Sequence, residues 1–442
     1  MPTNKDITLM KHKTILAFSA LATFLVSISS CTNNYFDQDR YEELVTSTFP
    51  VADIDSLHDW NLLTTVIATI DLSSAPSAGY VVDIYDKNPS DASAYKLATG
   101  GVNGNAVLNF NLPRDSKMTQ LYVTATGGGK RVVDSYFPLY DNIMFVSPNG
   151  KPAEASANPK APVMEYTYCF EETFPEGGDF DFNDCVMGVS MEKSPKEQNG
   201  KADYLDITIR LRAVGGYKTI AASMRLANIS PAMVSDTFAI TRKGWDFFQY
   251  AVDYLENPQG VMKQSRTSDV RIDLFNDAHF AINGGKLDES GTMVPHPCIN
   301  TNAETTNPSL EKAGPRTSTY RIEFKDKEAF NSFTFSDLDL FIITGYNANY
   351  YETHTVPFFG LQVLKTYPTN INYVPWALVI PDVFQYPVEG MQICKYSSGL
   401  NYYEGAYQLG QYSFGAWARD RNNISARSWY RFPQAKMVYP LN

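Results

Sequence analysis

The chain has 442 residues, 48 acidic against 37 basic, for a formal net charge of −11. That length exceeds one ordinary hydrophobic core and implies at least two domains, while the negative balance argues against nucleic-acid binding through phosphate neutralisation. Charged residues are sparse at 19%, aromatics reach 13% and Tyr alone numbers 28, a composition that favours strands over helix bundles.

At the N-terminus, Lys11 and Lys13 precede an apolar stretch over 15–28, and small residues follow ahead of Cys31. These are the three parts of a secretory leader, assigned here to residues 1–30. Ile28-Ser29-Ser30-Cys31 resembles a bacterial lipobox, which makes Cys31 the expected lipid-attachment residue and the membrane a partner through that lipid. The leader carries a net +2, so the mature chain stands at −13. Residues 31–59 read as a polar, lipidated tether.

Short alternating segments follow at 62–72, 79–86, 105–113, 120–127 and 130–139, separated by Gly, Pro, Asn, Asp and Ser. That spacing predicts a small immunoglobulin- or fibronectin-like β-sandwich over 60–146, with the glycines of 127–129 as a hairpin turn. Residues 147–163, rich in Pro, Ala, Ser and Asn, form the expected linker. The remainder, 164–442, has strand patterns at 166–170, 203–214, 217–226, 269–275, 319–325 and 338–346 and a polar stretch at 286–317. The expected fold is all-β: the small sandwich, then a larger antiparallel, jelly-roll-like β-sandwich.

Catalytic signatures are scarce. His58, His279, His296 and His354 stand in unrelated contexts without zinc spacing, and no nucleophile elbow or phosphate-binding glycine loop occurs. The expectation is a non-enzyme with no catalytic residues. The unusual stretch is GDFDFNDC, residues 178–185, which packs Asp179, Asp181, Asn183 and Asp184 into six positions. Calcium takes six to eight oxygens from such groups, and Phe180 and Phe182 would then point the other way and anchor the loop on the core. A polar turn whose side chains bond backbone amides is the competing reading. Asp337 and Asp339, read as one face of a strand, are candidates to complete the coordination. Cys169 and Cys185 flank the acidic loop; they either clamp it as a disulfide or sit apart as small buried hydrophobes.

The segment YCFEETFPEGGDFDFNDCVMGVSME resembles the hallmark of the LruC-domain family of bacterial surface proteins, Bacteroidales type. The similarity continues through DLDLFIITGYNANYYETHTVPFFG and ends near Trp417, Ala418, Trp429 and Tyr430, spanning roughly 165–440. Cys185 stands where the family keeps Val, and the segment around His354 is looser than the family's, so His354 reads as structural. The resemblance implies an extracellular or outer-membrane β-domain and brings no catalytic mechanism. Asp55-Ser56-Leu57 also fits the short O-glycosylation motif of that phylum.

These readings give a lipid-anchored outer-membrane or cell-surface protein with a binding or structural role, in adhesion or an envelope matrix, stabilised by calcium. Its ligand would be a glycan or a protein. Two alternatives stand beside it. A carbohydrate-binding module would use exposed aromatics among Trp376, Trp417, Trp429, Tyr402, Tyr403, Tyr407 and Tyr412. A glycoside hydrolase would need two carboxylates facing across a cleft.

Overall fold

The computed structural model describes residues 49–439 except 52, 78, 150, 156–159, 175–177, 217, 236–240, 245–268, 276, 283–298, 301–315, 345–350, 356, 359–373, 396–400, 404–405 and 409–412. Cys31, the leader and most of the polar stretch 286–317 lie outside the described residues. Among the described residues no helix is long and apolar enough to cross a membrane.

The first domain is a sandwich of three strands on five. β1 (Leu63–Asp71), β2 (Tyr80–Tyr85), β3 (Lys96–Val102), β4 (Asn105–Pro113), β5 (Gln120–Gly127), β6 (Lys130–Pro138), β7 (Ile143–Val146) and β8 (Ala153–Glu154) form sheets ordered β4-β1-β7 and β3-β2-β5-β6-β8. Alternation builds the core. Val66, Ala68 and Ile70 of β1 face Val82 and Ile84 of β2 and Val123 of β5, while Thr65, Ile67 and Thr69 point out. Gly128 and Gly129 take φ of 57° and 76°, the left-handed pair that a tight hairpin between β5 and β6 requires.

The larger domain begins at β9 (Glu165–Phe170) and continues through β10 (Cys185–Ser194), β11 (Asp203–Val214), β12 (Ile220–Leu226), β13 (Thr241–Gly244), β14 (Val270–Phe275), β15 (Ile299–Asn300), β16 (Arg316–Phe324), β17 (Leu338–Thr344), β18 (Tyr351–Thr353) and β19 (Ala377–Ile380). One sheet runs β13-β16-β11-β10-β9-β19, with β15 on the end of β11; a second runs β14-β12-β17-β18. Leu205, Ile207, Ile209 and Leu211 of β11 pack with Met224 and Leu226 of β12 and Leu340 and Ile342 of β17 between the sheets. The fold is thus all-β, as the strand patterns predict.

A second core lies on the other face of β9, β10 and β19. It joins Cys169, Val186, Leu378 and Ile380 to Phe414, Trp417 and Trp429 of the C-terminal turns. It also contains Phe49, Val51 and Trp60. The expected tether 31–59 is therefore corrected at its C-terminal part. Phe49, Val51, His58 and Trp60 are buried there and seal the larger domain, while Asp53, Ser56 and Leu57 between them stay exposed.

Candidate metal centre

The acidic residues sit in the β9–β10 connection. Phe170 pairs with Cys185 and Ala377, and Cys185 with Val214, so residues 171–184 leave the sheet where the ends of four strands meet. Trp376 lies beneath the loop, accepting the Glu171 amide hydrogen at 2.9 Å. Phe180 and Phe182 are fully buried at φ of 52° and 56°, left-handed values that non-glycine residues avoid. Burial holds them there: the Phe180 ring meets Phe49 at 4.9 Å and Trp376 at 5.2 Å. With the aromatic residues turned into the core, the alternate acidic residues turn back on themselves.

That reversal brings Asp179 and Asp181 to Glu171, with one carboxylate oxygen of each within 4.8 Å of the others. Glu171 and Asp181 are wholly buried, and Asp179 closes the cluster at the exposed side. Glu171 accepts from the Phe182 amide at 2.6 Å and the Phe180 amide at 3.3 Å. Asp181 Oδ2 accepts from the Gly390 amide at 2.8 Å and from Asn183 Nδ2 at 2.9 Å. Thr173 Oγ1 is buried, with no hydrogen-bond partner among the described residues. A methyl group on Gly178 would come within 2.6 Å of both that oxygen and Glu171 Oε2. The glycine thus leaves open a small space walled by oxygen.

Burial, and then the neighbouring carboxylates, push Glu171 well above the usual carboxylate range and Asp181 up to about 9. Asp184 is raised in the same way, first by burial and then by Glu172, and burial raises Asp179. Such a cluster holds protons or a cation at neutral pH. All-oxygen donors, three of them carboxylates, suit a hard cation such as calcium.

Not every residue expected at the site is part of it. Asn183 braces Asp181 and Pro387 through its amide nitrogen. Asp184 Oδ2 accepts from the Glu172 amide at 2.7 Å and so closes the loop's base. Asp337 and Asp339 are corrections. Asp337 lies in a 3-10 turn, not a strand, and caps it through the Thr334 amide and hydroxyl, both at 2.8 Å. Asp339, fully buried on β17, bonds Arg225 Nε at 3.0 Å and His354 Nδ1 at 2.9 Å. The side chain that the sequence reading missed is Glu171, whose only local sign was the Glu171-Glu172 pair at the head of the same motif.

The disulfide is also corrected: Cys169 and Cys185 are free. Cys169 lies opposite Val186 and Cys185 opposite Phe170, and adjacent strand positions point to opposite faces. Cys185 therefore enters the intersheet core and Cys169 the second core. Trp376, Trp417 and Trp429 are core residues as well, each no more than 1% exposed. The side chains of Tyr402, Tyr403, Tyr407 and Tyr412 lie outside the described residues. Ser56 is exposed at a turn that Asp55 closes by accepting the Leu57 amide.

No curated protein matches this chain. A crystal structure of a Bacteroides ovatus protein provisionally assigned as a lipoprotein aligns over 83% of this chain and 100% of its own, at 13% identity and a TM-score of 0.42. The major pilin SpaD of Corynebacterium diphtheriae aligns over 68% of this chain and 67% of its own, at 13% identity and a TM-score of 0.14. A model of a domain of unknown function, DUF4842, matches residues 200–430, just over half of the chain, from β11 through the Trp417 and Trp429 turns. The chain belongs to the DUF4842 family.

Proposed function

We propose that the protein is a lipid-anchored component of the cell envelope, displayed at the outer-membrane surface, that binds or braces other molecules and whose larger domain is held in shape by calcium. The observation that carries the calcium reading is the meeting of Glu171, Asp179 and Asp181 around the space left by Gly178. Carboxylates held this close cannot all ionise unless a cation joins them. Glu171, Asp179 and Asp181 would supply the charge and Thr173 Oγ1 a neutral oxygen, with Asn183 and Asp184 keeping the loop in place. The ion would screen the repulsion and fix the connection between β9 and β10.

Anchoring rests on the leader and on Ile28-Ser29-Ser30-Cys31. The LruC-type reading within the family rests on the 179–184 motif, which lies ahead of the matched stretch. A binding or structural role fits the acids better than glycoside hydrolysis does. A hydrolytic pair flanks an open cleft, whereas Glu171 and Asp181 are buried in a loop. The tryptophans that a sugar would stack on are spent in the core.

The test is thermal unfolding of the mature chain, 31–442 with Cys31→Ser, in excess calcium and in chelator. Calcium at a hundred times its Kd should add about 2.7 kcal/mol. Glu171→Gln with Asp181→Asn should abolish the response. The gain should also grow between about pH 5 and about pH 8. Without a cation the raised Asp181 group stabilises the fold only while protonated, and that contribution is lost as pH climbs through about 9. Coincident melting curves in calcium and chelator would leave the loop a hydrogen-bonded turn.

A further inference from the structure

The outer face of the β4-β1-β7 sheet carries exposed apolar side chains. The registers align Asn109, Ile67 and Ile143 in one row and Val107, Thr69 and Phe145 in the next. Ile67, Val107, Ile143 and Phe145 are between 40% and 68% exposed, so these side chains form one apolar strip. At the β4 side stands helix Lys327–Ser332 of the larger domain. Two cavities of about 440 and 530 Å³ open between helix and sheet, and Glu328 lines both. Their walls carry Asp71, Asp326, Glu328 and Asp337, against the single cation Lys327, which Glu197 already neutralises. Val107 belongs both to the strip and to the larger cavity, so the seam joins an apolar margin to acidic walls.

We infer that this seam is the docking groove for an extended segment of a partner protein in which basic and apolar side chains alternate. A strand-like segment sends successive side chains to opposite sides. One set would lie on Ile67 and Val107 while the other reaches Glu328 and its acidic neighbours. Charge selects this occupant over the two nearest at hand. Residues 31–48 of the chain itself carry Asp37, Asp39, Glu42 and Glu43 against Arg40, and a second copy brings a formal −13. Like charges across an interface oppose docking, and opposite charges speed and register it. The inference rests on the binding role proposed above, to which it gives a partner class, and it does not depend on the cation.

The test is fluorescence anisotropy with a labelled dodecapeptide of alternating Lys and Val and its Glu–Val counterpart. The mature chain is used with chelator and then with calcium, which separates failure of the groove from failure of the metal site. The Lys–Val peptide should bind in both conditions and the Glu–Val peptide in neither. Glu328→Lys should weaken binding by about tenfold, as should Ile67→Asp, whereas Asp91→Lys, an equal change of charge on the β2–β3 connection, should not. Absence of binding, or equal weakening by Asp91→Lys, overturns the inference. So does a dimer in sedimentation that Phe145→Ser dissolves, since the strip would then belong to a second copy.

Discussion

His354 shows how far a single residue depends on its neighbours. It is buried against the Phe341 ring at 4.4 Å, with Asp339 at 2.9 Å from one nitrogen and Glu352 at 3.2 Å from the other. Burial alone would push its pKa down, but the attraction of Asp339 and the hydrogen bonds to Asp339 and Glu352 outweigh this and raise it to about 9. Arg225 completes the cluster, shared between Asp339 and Asp269. His354 gains stability by being charged when folded. The gain is therefore full below about 6.5 and is lost as pH rises through about 9. In urea unfolding, His354→Gln should flatten the fall in stability between those pH values, and an unchanged slope would refute the assignment. Asp339→Asn should cost about 3–5 kcal/mol, because it removes the buried carboxylate that Arg225 and His354 share and leaves Asp269 and Glu352 alone to offset them.

At the scale of elements, the strand patterns that were legible are those whose burial is set locally. β11 alternates without interruption because one face meets the intersheet core and the other does not. β3 was illegible for a non-local reason. Its Gly100 and Gly101 lie where the ends of the Leu108 and Glu197 side chains fill the space a Cβ would take, so long-range packing interrupts the period. β7 has four residues, too few to show one. Within the candidate site, the side-chain types and the inward turn of Phe180 and Phe182 were legible. Its full membership was not. Glu171 reaches Asp181 only after the chain reverses between β9 and β10, while Asp339 is claimed by Arg225 of another strand. The same alternation that opposed the cysteines yields a prediction for β9 and β10. Alkylating the mature chain in denaturant without reductant should modify both Cys169 and Cys185; a disulfide-linked peptide pair would contradict the register.

On the scale of the whole molecule, the two domains are joined by more than a linker. Asn331 holds the Gly101 backbone by bonds of 3.0 and 3.3 Å, Asn111 bonds Ser336 at 2.7 Å, and Asp115 takes both Tyr430 and Arg431 at 2.8 Å. The segment ahead of β1 adds a third connection, into the larger domain. Phe49 packs on Phe180, Trp60 stacks on Phe414 at 5.7 Å, and the His58 Nε2–H donates to the Trp417 carbonyl at 2.9 Å. A pull on the lipid proposed at Cys31 would thus be felt first in the second core, beside the acidic loop, and only then in the sandwich. Aromatic-to-alanine changes at fully packed sites cost about 3–5 kcal/mol each. Phe49→Ala with Trp60→Ala should therefore destabilise the larger domain by several kcal/mol and leave the sandwich close to its parent stability. Hydrogen exchange resolves the two: protection should fall in β9 and β10 and persist in β2 and β5. If protection in β9 and β10 were unchanged, residues 49–60 would be a tether after all, merely resting on the domain that they are argued to close.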